Sequence, residues 1–298
     1  MKKILVVTHD AGGAEVIAAF VKRHAKKMQF RVYAAGPSVK VFKRLSLPTR
    51  LIKDTKASIH AAVEKNTDVD MALLPMPGWM TKIEIRALEE AKKAGLKAVV
   101  YIDSWIRYKE RFGYAEKNWR QNLPDEFWAG DNYALKLAKK AYPKIPVRFV
   151  RNEYFEAIKK RYKILKKESP NKTKTPVILF LSAPELTSRD IFEELIAHLV
   201  HTSRHVLRVR FHPADDTKRY DKIIKQHKVV RVEKSTEKDI VRDIARARIV
   251  IGTETVAMVA AVLVGKKVIS ILPKRQKSYL PFPQITRVHR VEKVTTFL

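Results

Sequence analysis

Short apolar runs alternate with longer amphipathic stretches along the first half of the chain. The first run, residues 3–8, is short, apolar and rich in β-branched residues, which is typical of a strand buried on both faces of a sheet. It leads into a helical pattern with basic residues at its end. Further strands are predicted at 30–35, 71–74, 97–102 and 126–129, and helices at 58–65, 82–94, 131–140 and 154–167. This alternation predicts a parallel sheet covered by helices.

The alternation stops at residues 169–176 and then starts again. That segment has no apolar residue except its prolines, which is typical of a linker. Strands are predicted after it at 177–181, 206–211, 229–232, 248–251 and 267–272, and helices at 189–200, 216–226, 238–247 and 254–264. We therefore predict two α/β domains, residues 1–168 and 177–298, joined by the linker 169–176.

Composition limits the function classes. The 298 residues include no cysteine, which excludes disulfides, cysteine-ligated metals and a thiol nucleophile. His9 and Asp10 cut the first apolar run before it reaches the length of a secretory signal, and the apolar stretch 256–264 is too short to span a bilayer. We therefore expect a cytoplasmic protein. The net charge of +30 suits an anionic partner, including the inner face of a membrane, although a lysine-rich, heat-adapted proteome explains it equally well.

The first candidate site follows the first strand. His9 and Asp10 come directly after it, and Gly12 and Gly13 open the next helix. The glycines let the backbone approach a ligand closely, and the helix N-terminus offers free N–H groups to an anion. Asp10 can serve as a general base, with His9 as its partner or as a phosphate contact. The alternative is a tight turn with a capping aspartate.

A second candidate site ends the strand at 206–211. Arg208, Arg210 and His212 alternate, so they share one face of the strand, and Pro213 follows. Two arginines and a histidine at a strand end indicate an anion, with phosphate as the first choice. The alternative is an edge strand with a solvated basic face.

A third candidate site begins the apolar helix at 254–264. Gly252, Thr253, Glu254 and Thr255 stand between a buried strand and this helix. Hydroxyl groups and free N–H groups at a helix start can hold a phosphate, and a glutamate there can accept hydrogen bonds from a ribose diol. The alternative is an ordinary N-cap by either threonine.

A fourth feature follows the strand at 97–102. Asp103, Trp105 and Arg107 begin a stretch, 103–120, in which aromatic residues alternate with cations. Such a pattern can grip a sugar ring, a nucleic acid or a membrane interface. A loop packed over the first domain is the alternative.

Several motifs are absent. The nine histidines show no HExxH or other metal-ligand spacing, so we expect no metal and no cofactor. The chain lacks the sequence signatures of P-loop nucleotide hydrolases, α/β-hydrolases and standard dinucleotide enzymes. It also has no recognised nucleic-acid-binding motif, so nucleic acid is not expected as a partner.

Two motifs of the second half resemble the GT-B glycosyltransferase superfamily. The segment 249–256 looks like the start of the donor-nucleotide helix of that fold. The sequence 210–213, Arg-Phe-His-Pro, is similar to the His-Pro motif of bacterial sialyltransferases and of CDP-glycerol-type polymerases, in which it holds the nucleotide phosphate. The stretch 253–255 stands where those families carry a Ser/Thr pair. The stretch 9–13 stands where GT-B enzymes have their acceptor-side glycine-rich loop.

The resemblance implies two Rossmann-like parallel-sheet domains facing a cleft, and an inverting, metal-independent transferase for envelope or capsular polysaccharide. The donor would be a nucleotide-activated sugar or polyol phosphate, and the acceptor a carbohydrate or lipid-linked hydroxyl. The implied residues are Asp10 and His9 for catalysis, Gly12, Gly13, Arg210, His212, Pro213, Gly252, Thr253, Glu254 and Thr255 for the donor, and Asp103, Trp105 and Arg107 for the acceptor. A sugar-nucleotide epimerase of the same fold and a polyanion-binding protein remain the alternatives.

Overall fold

The computed structural model describes residues 1–79, 81–168, 175–183, 186–199, 205–212, 215–227, 230–237 and 239–298. The chain divides into two compact units, Met1–Tyr154 and Phe155–Leu298. The predicted linker, 169–176, falls mostly outside the described residues and stays a prediction.

Unit 1 is a seven-stranded sheet in the order β3-β2-β1-β4-β5-β6-β7, and every strand pair is parallel. Its strands are β1 Lys2–Thr8, β2 Met28–Ala34, β3 Arg50–Leu51, β4 Met71–Pro75, β5 Lys97–Ile102, β6 Glu126–Ala129 and β7 Val147–Phe149. Its helices are α1 Ala11–His24, α2 Ser38–Arg44, α3 Lys56–Glu64, α4 Ile83–Lys93 and α5 Asn132–Ala141, and short 3-10 turns occupy Glu110–Phe112 and Trp119–Asn122. α6, Glu153–Glu168, begins in unit 1 and continues in unit 2.

Unit 2 is a six-stranded sheet in the order β10-β9-β8-β11-β12-β13, again parallel throughout. Its strands are β8 Val177–Leu181, β9 Val206–Arg210, β10 Val232–Lys234, β11 Ala247–Gly252, β12 Lys267–Ile271 and β13 Ile285–Val288. Its further helices are α7 Leu186–Leu199, α8 Lys218–Gln226, α9 Ile240–Arg246, α10 Val256–Leu263 and α11 Glu292–Thr295.

The central strands are apolar because helices cover both faces of each sheet. β1 buries Ile4, Leu5, Val6 and Val7 almost completely, and every residue of β8 is buried. The prediction of parallel sheets covered by helices is thereby confirmed. Among the described residues, no helix combines the length and apolar character needed to cross a membrane.

The two sheets share one topological property that positions their ligand-binding edges. In each sheet the first strand along the chain lies in the interior, and the connections from it run first to one side and later to the other. The reversal falls between β1 and β4 in unit 1 and between β8 and β11 in unit 2. Open α/β sheets bind ligands beyond the carboxyl ends of the strands at this switch point. Ligand-binding side chains are therefore expected among the residues that follow these four strands and their neighbours.

Candidate functional site

The switch point of unit 1 holds His9 and Asp10. His9 Nδ1 lies 2.8 Å from Asp10 Oδ1, and the Asp10 side chain is 40 % exposed. Asp10 occupies the N-cap position of α1, yet its carboxylate makes no capping hydrogen bond. The carboxylate therefore remains available to a ligand and is oriented by the imidazole beside it. The structure brings these two predicted catalytic residues together.

The loop after β4 closes over Asp10 from the other side of the switch point. A Cβ atom built on Gly78 would lie only 2.2 Å from Asp10 Oδ2, so the loop backbone packs directly against the carboxylate. Glycine at this position gives Asp10 the space that any larger residue would occupy. The Asp10 carboxylate is thus located by His9 and by the Gly78 backbone.

Glu84, in the first turn of α4, is the buried partner of this pair. Its Oε1 accepts a hydrogen bond from the backbone N–H of His9 at 2.8 Å, and its side chain is almost fully buried. Its Oε2 is buried with no hydrogen-bond partner among the described residues. Burial, together with the negative charge of Asp10, raises the pKa of Glu84 to about 8. Glu84 is therefore protonated at neutral pH and holds the His9 backbone as a neutral acid.

Asp103 adds a third carboxyl group at the end of β5. A Cβ atom on Gly13 would lie 3.0 Å from Asp103 Oδ2, and one on Gly12 would lie 3.9 Å from it. Burial raises the pKa of Asp103 to about 6, an effect that the Arg111 charge partly offsets. Carboxyl groups with such different ionisation, side by side, are typical of sites that move protons. No group of three or more His, Asp or Glu side chains in the described ranges is arranged to hold a metal ion.

The substitution Glu84→Gln is expected to stabilise unit 1 increasingly as the pH rises. Because the pKa of Glu84 is raised from its ordinary value of 4.5 to about 8, folding favours the protonated form, and the free energy of unfolding falls as the pH rises from 4.5 through 8. Glutamine mimics the protonated acid and removes this loss, a gain on the order of a few kcal/mol at pH 9 but only about 1 kcal/mol or less at pH 5.

All four tryptophans lie in unit 1, so thermal unfolding followed by tryptophan fluorescence between pH 5 and 9 measures this effect. Glu89→Gln, on the same helix but with its side chain half-buried, is the matched control. If the melting temperatures of wild type and Glu84→Gln changed in parallel across this pH range, the raised pKa of Glu84 would be contradicted.

The residues expected to bind the acceptor take two different positions. Trp105 is buried, and its Nε1–H donates to both carboxylate oxygens of Asp131 at 3.2 and 3.0 Å. Arg107 is exposed, and its guanidinium carbon lies 5.7 Å from the centre of the Trp79 ring. The aromatic side chain that is open beside Arg107 is therefore Trp79, at 52 % exposure.

Beside the switch point of unit 2, the Ser182 side chain links the end of β8 to the end of the neighbouring strand β9. The Ser182 hydroxyl donates to Asp215 Oδ2 at 2.6 Å and accepts the backbone N–H of His212 at 2.9 Å. This hydroxyl, which is buried, fixes the backbone of His212 at the carboxyl end of the sheet. Pro213, the other half of the His-Pro motif, lies outside the described residues.

The two arginines of β9 point to one face, as their spacing predicts. Arg210 Nη1 donates to Asp243 Oδ2 at 2.8 Å and to the Glu237 carbonyl at 2.7 Å. Arg208 Nη1 lies 4.0 Å from Asp243 Oδ1, and Arg208 Nη2 donates to Glu233 at 2.6 Å. The Asp243 carboxylate is fully buried and borders a polar cavity of about 270 Å³. Arg210 therefore ties the loop before α9 to the sheet, and three of its five N–H groups have no partner in these hydrogen bonds.

The third predicted cluster follows β11. A Cβ atom on Gly252 would lie 2.8 Å from the Leu181 carbonyl oxygen, so close packing against β8 requires glycine. Thr255 caps α10 by accepting the N–H of Ala257 at 3.3 Å. The Thr253 hydroxyl is buried and has no hydrogen-bond partner in the described part of the chain.

The Glu254 carboxylate is engaged in hydrogen bonds within unit 2. Its carboxylate accepts hydrogen bonds from the hydroxyls of Ser270 and Ser278 and from the backbone N–H groups of Tyr279 and Leu280, at 2.7–3.1 Å. These contacts fix the loop at 278–280 beside the start of α10. A ribose diol would have to share this carboxylate with that loop.

Sequence reasoning missed three residues of these sites: Glu84, Ser182 and Trp79. Ser182 follows a buried strand, as Asp10 and Asp103 do, so its position alone was a usable signal. Glu84 stands in the apolar stripe of an amphipathic helix, where an acid is unusual. Trp79 follows Pro77 and Gly78 in a turn, where a large aromatic residue is usually exposed.

Comparison by sequence gives no relatives. No protein-family model matches the chain, and no curated protein matches it. Many solved structures, in contrast, resemble this chain in fold.

HepE from Anabaena in complex with UDP has a TM-score of 0.67 and 14 % identity, and covers 100 % of this chain and 88 % of its own. The UDP-GlcNAc 2-epimerase from Methanocaldococcus jannaschii has a TM-score of 0.71 and 13 % identity, over 99 % of this chain and 90 % of its own. MurG from Acinetobacter baumannii has a TM-score of 0.59 and 10 % identity, and the match covers 100 % of this chain and 90 % of the MurG chain. At these identities the likeness shows the fold, and the prediction of two Rossmann-like, GT-B-type units is confirmed.

Proposed function

We propose that this protein is a glycosyltransferase of the GT-B fold, which transfers a sugar or a polyol phosphate from a nucleotide donor to a hydroxyl group. One observation carries the proposal. Both sheets place clustered polar side chains at the carboxyl ends of the strands that form the switch point or lie next to it, where such sheets bind ligands. Unit 1 offers carboxyl groups for proton transfer, and unit 2 offers a histidine, hydroxyls and a helix N-terminus for phosphate.

Unit 1 activates the acceptor in this proposal. Asp10 takes the proton of the acceptor hydroxyl while that oxygen attacks the anomeric carbon of the donor sugar, and the bond to the nucleotide phosphate breaks with its electron pair leaving on phosphate. A single displacement of this kind inverts the anomeric carbon. The imidazole of His9 lies beside the carboxylate, and Glu84 holds the His9 backbone in place. Glu84, being neutral, adds no further negative charge next to Asp10.

Unit 2 binds the leaving nucleotide in this proposal. His212 and the N–H groups at the start of α10 contact the donor phosphates, and Arg210, beyond its bonds to Asp243 and Glu237, is a further hydrogen-bond donor at the same strand end. Uridine is the first base to test, because the HepE structure contains UDP. The acceptor is a carbohydrate or lipid-linked hydroxyl of an envelope or capsular polysaccharide. The high positive charge supports peripheral contact with the anionic inner membrane face.

His212→Ala is expected to weaken nucleotide binding at least tenfold. Losing a charge-assisted hydrogen bond to phosphate costs about 1.5–3 kcal/mol, which is roughly a 10- to 100-fold loss of affinity. Thermal shift with UDP, CDP, CMP and GDP, followed by titration of the best ligand, measures this effect.

The matched control for this variant is His227→Ala. His227 follows α8 and lies near the amino ends of the strands, away from His212 at their carboxyl ends. This is because a crossover helix runs antiparallel to the strands that it connects. Nucleotide affinity should be unchanged in this variant. The proposal fails if no nucleotide raises the melting temperature, or if His212→Ala binds as tightly as wild type.

The structure of unit 1 also favours a second candidate function, a sugar-nucleotide 2-epimerase. Its buried carboxyl groups with raised pKa values, Glu84 and Asp103, suit removal and return of a proton at carbon, and the structural neighbours include UDP-GlcNAc 2-epimerase. Inverting C2 requires breaking the C2–H bond. Incubation with UDP-GlcNAc in D₂O and no acceptor separates the two functions, because only an epimerase yields the C2 isomer with deuterium incorporated.

A further inference from the structure

A solvent-exposed surface beside Asp10 has the chemistry of a sugar-binding subsite. We call it the Trp79 patch, and it consists of Trp79, Arg107 and Arg111. Trp79 follows directly on Gly78, whose backbone packs against the Asp10 carboxylate. Trp79 is 52 % exposed to solvent. The patch is therefore a neighbour of the proposed base, on the same edge of the same sheet.

Two guanidinium groups flank the indole. The Arg111 guanidinium carbon lies 4.9 Å from the ring centre, and that of Arg107 lies 5.7 Å from it. Arg111 is anchored by a 2.8 Å hydrogen bond from Nη1 to the Pro77 carbonyl, and its charge acts on Asp103. Cation–π contact holds both arginines near the aromatic surface. Arg111 thus links the patch to the carboxyl cluster.

Arg107 is the group in the patch with unused binding capacity. Its side chain is exposed, and no carboxylate pairs with it among the residues that the structure describes. Its backbone has φ of 52°, a conformation that a non-glycine residue adopts only at a cost in free energy. The turn therefore holds the Arg107 guanidinium next to the half-exposed Trp79 side chain.

Together these groups define a class of ligand. The part of the indole that the two guanidinium groups leave exposed can pack against the C–H face of a pyranose, and a guanidinium pairs with phosphate or carboxylate. We propose that the Trp79 patch binds the acceptor, and that this acceptor is a pyranose bearing a phosphate or carboxylate group. This inference rests on the proposed function and specifies its acceptor.

An anionic membrane fits this position less well than an anionic sugar. The exposed carboxylate of Asp10 packs against Gly78, the residue before Trp79, and it would be repelled by a sheet of lipid phosphates. A single sugar can direct its anionic group to Arg107 and its hydroxyl to Asp10. Charge on both sides of the ligand thus favours a small, oriented acceptor.

The test measures ligand binding in the absence of donor. The probes are glucose 1-phosphate, N-acetylglucosamine 1-phosphate, glucose 6-phosphate and glucuronic acid, compared with methyl glucoside and with inorganic phosphate. Titration calorimetry gives the affinities, and tryptophan fluorescence reports on unit 1. Wild type is expected to bind at least one anionic sugar at least tenfold more tightly than either methyl glucoside or phosphate.

Three variants locate the binding. Trp79→Ala should lower the affinity for the anionic sugar at least tenfold. Arg107→Asn should lower that affinity five- to tenfold and leave the affinity for methyl glucoside unchanged. Asparagine removes the charge of Arg107 but tolerates its positive φ. Arg120→Asn is the matched control, because Arg120 covers a different ring, that of the buried Trp119, at 5.2 Å.

The inference is overturned by any of three results: no anionic sugar binds, Arg107→Asn behaves like Arg120→Asn, or phosphate alone binds as tightly as the sugar phosphates. It is also overturned if vesicles containing phosphatidylglycerol shift the Trp79-dependent fluorescence while no sugar does. The UDP thermal shift on the same proteins separates the two proposals. UDP binding without sugar binding refutes only this inference, and sugar binding without any nucleotide binding refutes the proposed transferase.

Discussion

Asp10→Asn is expected to lower the rate of transfer by a factor of about 10²–10⁴, the usual contribution of a general base. Asparagine has nearly the same size, and its oxygen can still accept a hydrogen bond from His9 Nδ1, but it cannot take the proton of the acceptor. Nucleotide binding belongs to unit 2 in the proposed mechanism, so the UDP thermal shift should be unchanged. A loss of rate with unchanged UDP binding is the signature of this role.

Two further variants test whether this effect belongs to Asp10. Asp68→Asn removes a carboxylate that pairs with Lys3 and Arg31 away from the site, so the rate should stay within about twofold of wild type. Gly78→Ala keeps Asp10 but forces its carboxylate to move, because the new Cβ would lie 2.2 Å from Oδ2. Gly78→Ala should therefore reproduce much of the decrease in transfer rate that is expected for Asp10→Asn. A fully active Asp10→Asn enzyme would exclude Asp10 as the base.

Gly13→Ala is expected to destabilise unit 1 by about 1–3 kcal/mol, whereas Gly12→Ala should be neutral or stabilising by up to about 1 kcal/mol. The new methyl group at position 13 would lie 2.4 Å from Cβ of Pro75, a rigid ring at the end of β4. The same group at position 12 would meet only Asp103 Oδ2, at an ordinary 3.9 Å. Helix α1 must therefore move off the sheet in the first variant and keeps its place in the second.

Urea denaturation followed by tryptophan fluorescence measures this difference. The four tryptophans report unit 1 alone, so the unfolding of unit 2 does not enter the signal. Each glycine variant controls for the helix propensity of the other, because both positions lie in the first turn of α1. Equal midpoints for the two variants would show that the contact with Pro75 does not govern the packing of α1.

Much of the fold could be predicted because the central strands are apolar on both faces. The predicted strands at 97–102, 126–129 and 177–181 match β5, β6 and β8 to the residue. The edge strands β3 and β7 were missed, since they are two and three residues long and leave little apolar pattern. The strand predicted at 229–232 lies instead at Val232–Lys234. It was misplaced because this short edge strand carries charged residues and has little apolar pattern.

The candidate site was predictable only as far as strand ends reveal it. Asp10 and Asp103 follow apolar runs directly, so the sequence shows where they must lie. The contact between Glu84 and His9 spans 75 residues, and no local pattern encodes it. Likewise, period two places Arg208 and Arg210 on one face, yet their common partner Asp243 comes from a helix later in the chain. Partners of this kind are set by tertiary packing.

The interior position of the first strand in each sheet affects how the chain folds during synthesis. β1 and β8 leave the ribosome before either of their neighbours has been made, and each gains its second neighbour only when β4 or β11 follows. Until then a largely apolar strand has an open hydrogen-bonding edge, which invites pairing with other nascent chains. The abundant lysine and arginine around these strands would keep such chains apart by mutual repulsion.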